Sequence, residues 1–281
     1  MTDRSYAVRS ATSRAMLGAC VVSACFCVGL LVMLVAFIVE RGGAALSPAF
    51  FLDVPTGDPA APGGMAHALL GTAVLVVLAS AVGVPLGILA GIYLAEYRNE
   101  RVLPGAVRFV ADVLAGVPSI VVGILGYELV VVPLGRYNGW AGALALAFMM
   151  VPIVARTTEE MLLLVPDSIR EAALALGAAR AATILRVVMP TALGGVMTGV
   201  LLALARIAGE TAPLLFTALG SRLLTVDPGQ PFPSLTVQIF AYATGPYDAQ
   251  RQVAWAGILV LVALVGVINL AMRLATAPRT G

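Results

Sequence analysis

Hydrophobic positions in this chain come in runs of about 20 residues, the length an α-helix needs to cross about 30 Å of hydrocarbon. Six runs, near 16–39, 66–95, 107–132, 139–160, 188–218 and 252–275, each predict a membrane-spanning helix. Small residues recur within them at helical spacing. Gly83, Gly87 and Gly91 in GVPLGILAG, and Gly195 and Gly199 in the fifth run, form ladders that let another helix approach closely. Pro85, Pro118 and Pro213 fall inside runs, where each removes a backbone donor and predicts a bend. The connecting segments near 40–65, rich in Pro, Gly and Ala, and 219–251 are too short for an independent solute-binding domain. High-affinity capture of a solute outside the membrane would therefore need a separate protein.

Composition sharpens this reading. Of 281 residues, 60% are hydrophobic and 11% charged, about half the charged fraction of a soluble domain. The expected fold class is an all-α membrane protein with six transmembrane helices. All 17 basic residues are Arg. A Walker A loop needs Lys to reach the β- and γ-phosphates, so ATP hydrolysis by that route is excluded from this chain. His67 is the one histidine, and Cys20, Cys25 and Cys27 all lie in the first run. The cysteines read as small apolar side chains, and metal or nucleophilic chemistry has little to work with. An intramembrane serine protease would need a Ser–His pair at depth, whereas His67 sits near the outer end of its run. The first run exceeds a signal-peptide core and no clear cleavage site follows it, which predicts a retained span.

Arginine placement predicts the orientation. Arg4, Arg9, Arg14, Arg98, Arg101, Arg108, Arg156, Arg170, Arg180, Arg186, Arg273 and Arg279 collect on one side. The other side has Arg41, Arg136, Arg222 and Arg251. By the positive-inside rule both termini face the cytoplasm.

Two stretches carry more than spanning requires. Residues 166–190, PDSIREAALALGAARAATILRVVMP, lie on the cytoplasmic side between the fourth and fifth spans. Ser168 and Glu171 stand as a capping box, and Ile169, Ala172, Ala173 and Leu176 form one apolar helical face. Gly177 permits a sharp turn into a second short helix that runs through Ile184 to Pro190. Such a helix–turn–helix fits a groove in another protein or rests on the lipid interface. The second stretch is VLLALARIAGETAPLLFTAL at 200–219, where Arg206 and Glu210 stand i, i+4 within an apolar run. A charge at mid-membrane depth costs about 2.5–3.5 kcal/mol on insertion scales. On one helical face each would offset part of the other's cost.

Glu171-Ala172-Ala173, then Gly177 after three residues, then Val187-x-Met189-Pro190 after nine more, resembles the E-A-A-x3-G-x9-I-x-L-P signature of ABC importer permeases, with Val and Met as conservative replacements. HALLGT at 67–72, GIYLAEY at 91–97, ADVLAGVPSIVVG at 111–123, MMVPIVARTTEEML at 149–162 and ARIAGETAPLLFTALG at 205–220 are similar to one subfamily, the phosphate importer permeases of the PstA type. The resemblance covers most of the chain from about residue 66 onward and is loose before it.

The resemblance implies a type I ABC importer permease fold in the bacterial plasma (inner) membrane. Residues 1–65 would hold the N-terminus, first span and outward loop, 66–275 the permease core, and 276–281 a cytoplasmic tail. Segment 166–186 would be the coupling helix, with Glu171, Ala172, Ala173 and Gly177 as ATPase-coupling residues. The implied partners are a PstC-type sister permease, a PstB-type ATPase dimer and an external PstS-type phosphate-binding protein. This chain would carry no cofactor, ATP and Mg being bound by the partner ATPase. The substrate pathway would use Arg206 and Glu210, with Arg156 as a second cation. Guanidinium stays protonated and offers forked donors to phosphate oxygens, and Glu210 would compete for it so that the anion is released. A pair buried only for assembly is the alternative for Arg206 and Glu210. For Arg156 it is a topogenic charge, and for Glu159 and Glu160 a solvated face. Ser119 is a minor candidate donor. An importer of another oxyanion, molybdate or sulfate, is the alternative substrate reading.

Overall fold

The computed structural model describes residues 3–98 and 102–276. Arg101 and Arg279 of the arginine tally, and the tail beyond Thr276, lie outside the described residues. The chain opens with α1 (Asp3–Gly43), α2 (Pro48–Leu52) and α3 (Ala66–Glu96). Next come α4 (Leu103–Gly116) and α5 (Ser119–Gly126), the latter continuing through a π-helical turn into α6 (Val132–Leu134). α7 (Gly139–Leu163) is followed by the short α8 (Asp167–Ala175) and α9 (Arg180–Thr183). A second π-helical turn leads into α10 (Met189–Ala208), and α11 (Ala212–Thr217), α12 (Leu235–Ala243) and α13 (Asp248–Thr276) complete the order.

Among the described residues, five stretches are long and apolar enough to cross a membrane: Arg9–Gly43, Ala66–Glu96, Gly139–Leu163, Arg180–Ala208 and Asp248–Leu270. The pair Leu103–Gly116 and Ser119–Leu134, bent by 102°, is apolar enough to make a sixth crossing if it forms one span. The bend has a local cause. Val117 precedes Pro118, whose ring disfavours the α conformation before it, and Val117 is extended at φ −66°, ψ 129°.

The glycine ladders decide what packs on what. A Cβ added to Gly87 would lie 2.6 Å from Val154 Cβ, and one on Gly91 would lie 2.6 Å from the Ala155 carbonyl oxygen. α3 and α7 therefore touch along their backbones, side by side and parallel. On another face of α7, Thr157 lies over Gly199 and Met161 over Gly195, which sets α10 antiparallel to it. α7 is thus held between α3 and α10, and Leu75, Leu146, Met150, Val154, Val200 and Ile207 fill the core around it. A second cluster, Phe50, Met65, Leu235, Ile239 and Tyr242, closes the end of the bundle that carries α12. α1 is exposed along most of its length and packs on α13 through an edge contact of Phe37 with Trp255.

Several expectations need correction. The fifth span is not one helix over 188–218: it stops at Ala208, with Gly209 as its cap, and restarts at Ala212 with Pro213 in the first turn. Pro118 marks a bend, whereas Pro85 lies inside an unbroken α3. As an addition rather than a correction, the segment 219–251, too short for a separate domain, still contains α12, started by Ser234, whose side chain accepts from the Val237 N–H. The capping box at Ser168 and Glu171 does not form. α8 starts two residues earlier than that motif needs, with Pro166 as N-cap and no side-chain cap bond.

Candidate functional site

Arg206 occupies the last turn of α10, where a cation is favoured by the unsatisfied carbonyls of the helix end. Glu210 lies beyond that end, so the two are not on one continuous helical face. They are joined by an ion pair of 3.9 Å between Arg206 Nε and Glu210 Oε1, too long for a hydrogen bond. The Arg206 side chain is 55% exposed and that of Glu210 18%. Glu210 leaves this guanidinium largely uncommitted. The backbone of the break is pinned instead: Thr236 Oγ1 of α12 donates to the Glu210 carbonyl at 2.8 Å.

The other helical break is close by. A Cβ on Gly123 of α5 would lie 2.8 Å from Pro213 Cα, so the short helices after each break pack backbone to backbone. Ser119 is the first residue of α5 and half-buried. Residue 206 thus sits where two spans interrupt their regular hydrogen bonding, at about 25 Å from the start of α10 by helical rise.

Arg156 is not part of that pair. Thr157 lies against Gly199, so Arg156 is about 9–10 Å along the bundle axis from Arg206, nearer the α8 end. It pairs with Glu159 at 3.4 Å and with Glu160 at 3.3 Å. Glu160 is exposed, but Glu159 is only 3% exposed, which overturns the solvated-face reading for it. The reason is Arg108 of α4, whose Nε donates to Glu159 Oε1 at 3.0 Å and whose Nη2 binds the same oxygen. One buried carboxylate therefore holds two guanidiniums, one on each oxygen, and both remain open to solvent on their far sides. Among the residues of α4, Pro104 alone is buried, so this pair is a main tie between α4 and α7. Sequence reasoning missed Arg108 because its partner is 51 positions away. No local spacing signals such a pair.

The α8 segment lies at the end of the bundle nearer Arg156. Ala173 is buried and Ile169 packs into the cluster of Ala95, Leu162, Val165 and Val188. Ala172 and Leu176 do not join that face: both are exposed, Leu176 at 89%. Glu171 is exposed beside them. Gly177 adopts φ +84°, and the Ala178 N–H donates to the Ala173 carbonyl at 3.1 Å while the Gly177 N–H donates to Leu174 at 2.9 Å. This is a Schellman C-cap, whose left-handed residue favours glycine. Its Cβ position is open, so backbone conformation alone demands Gly there. α8 thus presents a small, partly apolar, acidic surface away from the bundle.

Comparison with known proteins agrees with this architecture. Residues 83–279 match the family described as binding-protein-dependent transport system inner membrane component. The phosphate transport system permease protein PstA of Yersinia pestis is 44% identical over 86% of this chain and 82% of its own length. PstA of Xylella fastidiosa strain 9a5c is 47% identical over 78% of this chain and 76% of its own. Among solved structures, an inward-facing form of the MetNI methionine ABC transporter superposes with TM-score 0.59 over 76% of this chain and 96% of that one, at 22% identity, a likeness of fold. A bundle of five or six apolar spans with two helical breaks, an α8 segment carrying the EAA spelling and these relatives lead to one assignment: the chain belongs to the family of binding-protein-dependent transport system inner membrane components, among permeases of the PstA type.

Proposed function

We propose that this chain is the permease subunit of an ATP-driven importer of inorganic phosphate and forms half of the translocation pathway. The observation that carries this reading is the state of Arg206: a half-exposed guanidinium at a helix break, with a partner too distant to satisfy it. A dianion or monoanion crossing the membrane needs a fixed cation that can be reached without first breaking a strong pair. Glu210 is near enough to reclaim the guanidinium after the anion moves on. The Arg156–Glu159–Arg108 group is a second cationic station nearer the α8 end.

In this reading both termini and α8 face the cytoplasm. α8 docks through Glu171, Ala172 and Leu176 on a PstB-type ATPase dimer, which binds ATP and Mg. A PstC-type sister permease completes the pathway, and an external PstS-type protein delivers phosphate. The relatives' printed names support phosphate over molybdate or sulfate as the cargo.

The test is uptake of labelled phosphate by membrane vesicles carrying the complete importer, with unlabelled sulfate or molybdate as competitor. The reading expects competition by phosphate alone, and loss of uptake in Arg206→Gln with the complex still assembled. Competition by the other oxyanions at equal concentration contradicts the substrate, and normal uptake by Arg206→Gln contradicts the pathway.

A further inference from the structure

Arg170 is the most heavily engaged side chain at the α8 end, and nothing in the site above uses it. It sits in the first turn of α8, is 15% exposed, and reaches across to the end of α3. Its Nε donates to Glu96 Oε1 at 3.1 Å, and Nη2 pairs with the same oxygen at 3.1 Å. Nη2 also donates to the Leu162 carbonyl at 2.7 Å, and Nη1 to the Val165 carbonyl and to Asp167 Oδ1. The partner carboxylate of Glu96 is 8% exposed. Arg180, at the start of α9, donates to the Glu96 backbone carbonyl and lies 4.4 Å over the Tyr97 ring. Two guanidiniums from the α8–α9 unit therefore grip the last turn of α3.

This polar link carries much of the connection. A cavity of 390 Å³, lined in part by Glu96, Arg170, Leu174 and Arg180, separates the two elements. Of α8's own apolar side chains, Ile169 and Ala173 reach the bundle. By chain connection α8 leads only to α9 and α10 on one side and to α7 on the other; its tie to α3 is made of side chains. A planar guanidinium with five fixed donors suits such a joint, because every bond shares one rigid plane.

We propose that Arg170 is a positioning residue that fastens the α8 segment to the end of α3, so that a displacement of α8 reaches α3 directly as well as through the chain connections to α7 and α10. This rests on the reading of α8 as the ATPase-docking element. α3 and α7 touch backbone to backbone along the glycine ladder, so they pass such a displacement on as one body. The moving joints are then the two breaks, at Val117–Pro118 and at 209–211, beside Arg206. Without the clamp, a push on α8 would reach α3 only through the short 164–166 connection to α7, which can bend and absorb part of it.

The test uses the complete importer in liposomes, with Cys20, Cys25 and Cys27 replaced by Ser. Glu96→Gln and Arg170→Gln together remove both charges without leaving one buried alone. We expect ATP hydrolysis to persist while phosphate moved per ATP falls about fivefold, within the range by which coupling residues act. A second arm adds Arg98→Cys and Asp167→Cys, at an exposed ion pair of 3.1 Å between the first turn of α8 and the residue two beyond the end of α3. A short rigid thiol cross-linker there is expected to leave transport intact in the Glu96–Arg170 protein and to restore phosphate per ATP in the double-Gln variant. An unchanged ratio in the double-Gln variant, or loss of uptake on cross-linking the Glu96–Arg170 protein, overturns the clamp. Labelled-phosphate uptake by the parent complex in the same vesicles reads the substrate assignment separately, so the two ideas fail independently.

Discussion

The contrast between Arg206 and Glu159 shows how burial sorts charges into different roles. Glu159 is enclosed and shared by two guanidiniums, so removing its charge leaves two cations facing each other across an uncharged amide. Glu159→Gln should lower the stability of the purified complex by about 2 kcal/mol, the scale of a hydrogen bond to a charged group. Glu160→Gln, at an exposed pair, should change it by less than about 0.5 kcal/mol. Thermal unfolding of the two variants checks this, and equal midpoints would contradict the buried-hub account. The same contrast marks what the residues alone disclosed. Arg206 and Glu210 stood out because a local spacing in an apolar run flags them. Glu159–Arg108 and Glu96–Arg170 join positions 51 and 74 apart, and only folding brings them together.

At the scale of elements, the spans were legible because hydrocarbon thickness imposes a length on apolar runs, and that constraint is nearly independent of packing. Breaks were less legible. Pro85 lies within an intact helix while Pro213 opens a new one, and neighbouring packing, absent from a linear reading, makes the difference. The ladder glycines give a direct check. Gly91→Ala places a Cβ 2.5 Å from Thr158 Cβ and 2.6 Å from a backbone oxygen, an overpacking that should cost about 1–3 kcal/mol. Gly194→Ala meets nothing within 4 Å and should be neutral or stabilising by up to about 1 kcal/mol. Melting temperatures of the two variants should move in opposite directions or differ clearly; similar losses would show that α3 and α7 are not in backbone contact. For α8, Glu171→Lys reverses the charge of the presented surface. It should abolish stimulation of ATP hydrolysis by the loaded binding protein, and wild-type stimulation would contradict docking through that face.

At the scale of the whole molecule, α1 stands apart from the core and Arg206 stays open beside the break of the fifth span, which suits one half of a pathway. In the proposed pathway, Arg206 and Arg156 are about 9–10 Å apart along the axis. This account rests on the 206 side chain facing the path that the anion takes. The most direct measurement is a structure of the assembled importer with phosphate present. The account predicts anion density between the two permeases within hydrogen-bond reach of the Arg206 guanidinium. Density placed elsewhere, with Arg206 locked into the sister permease as a static packing contact, would contradict it.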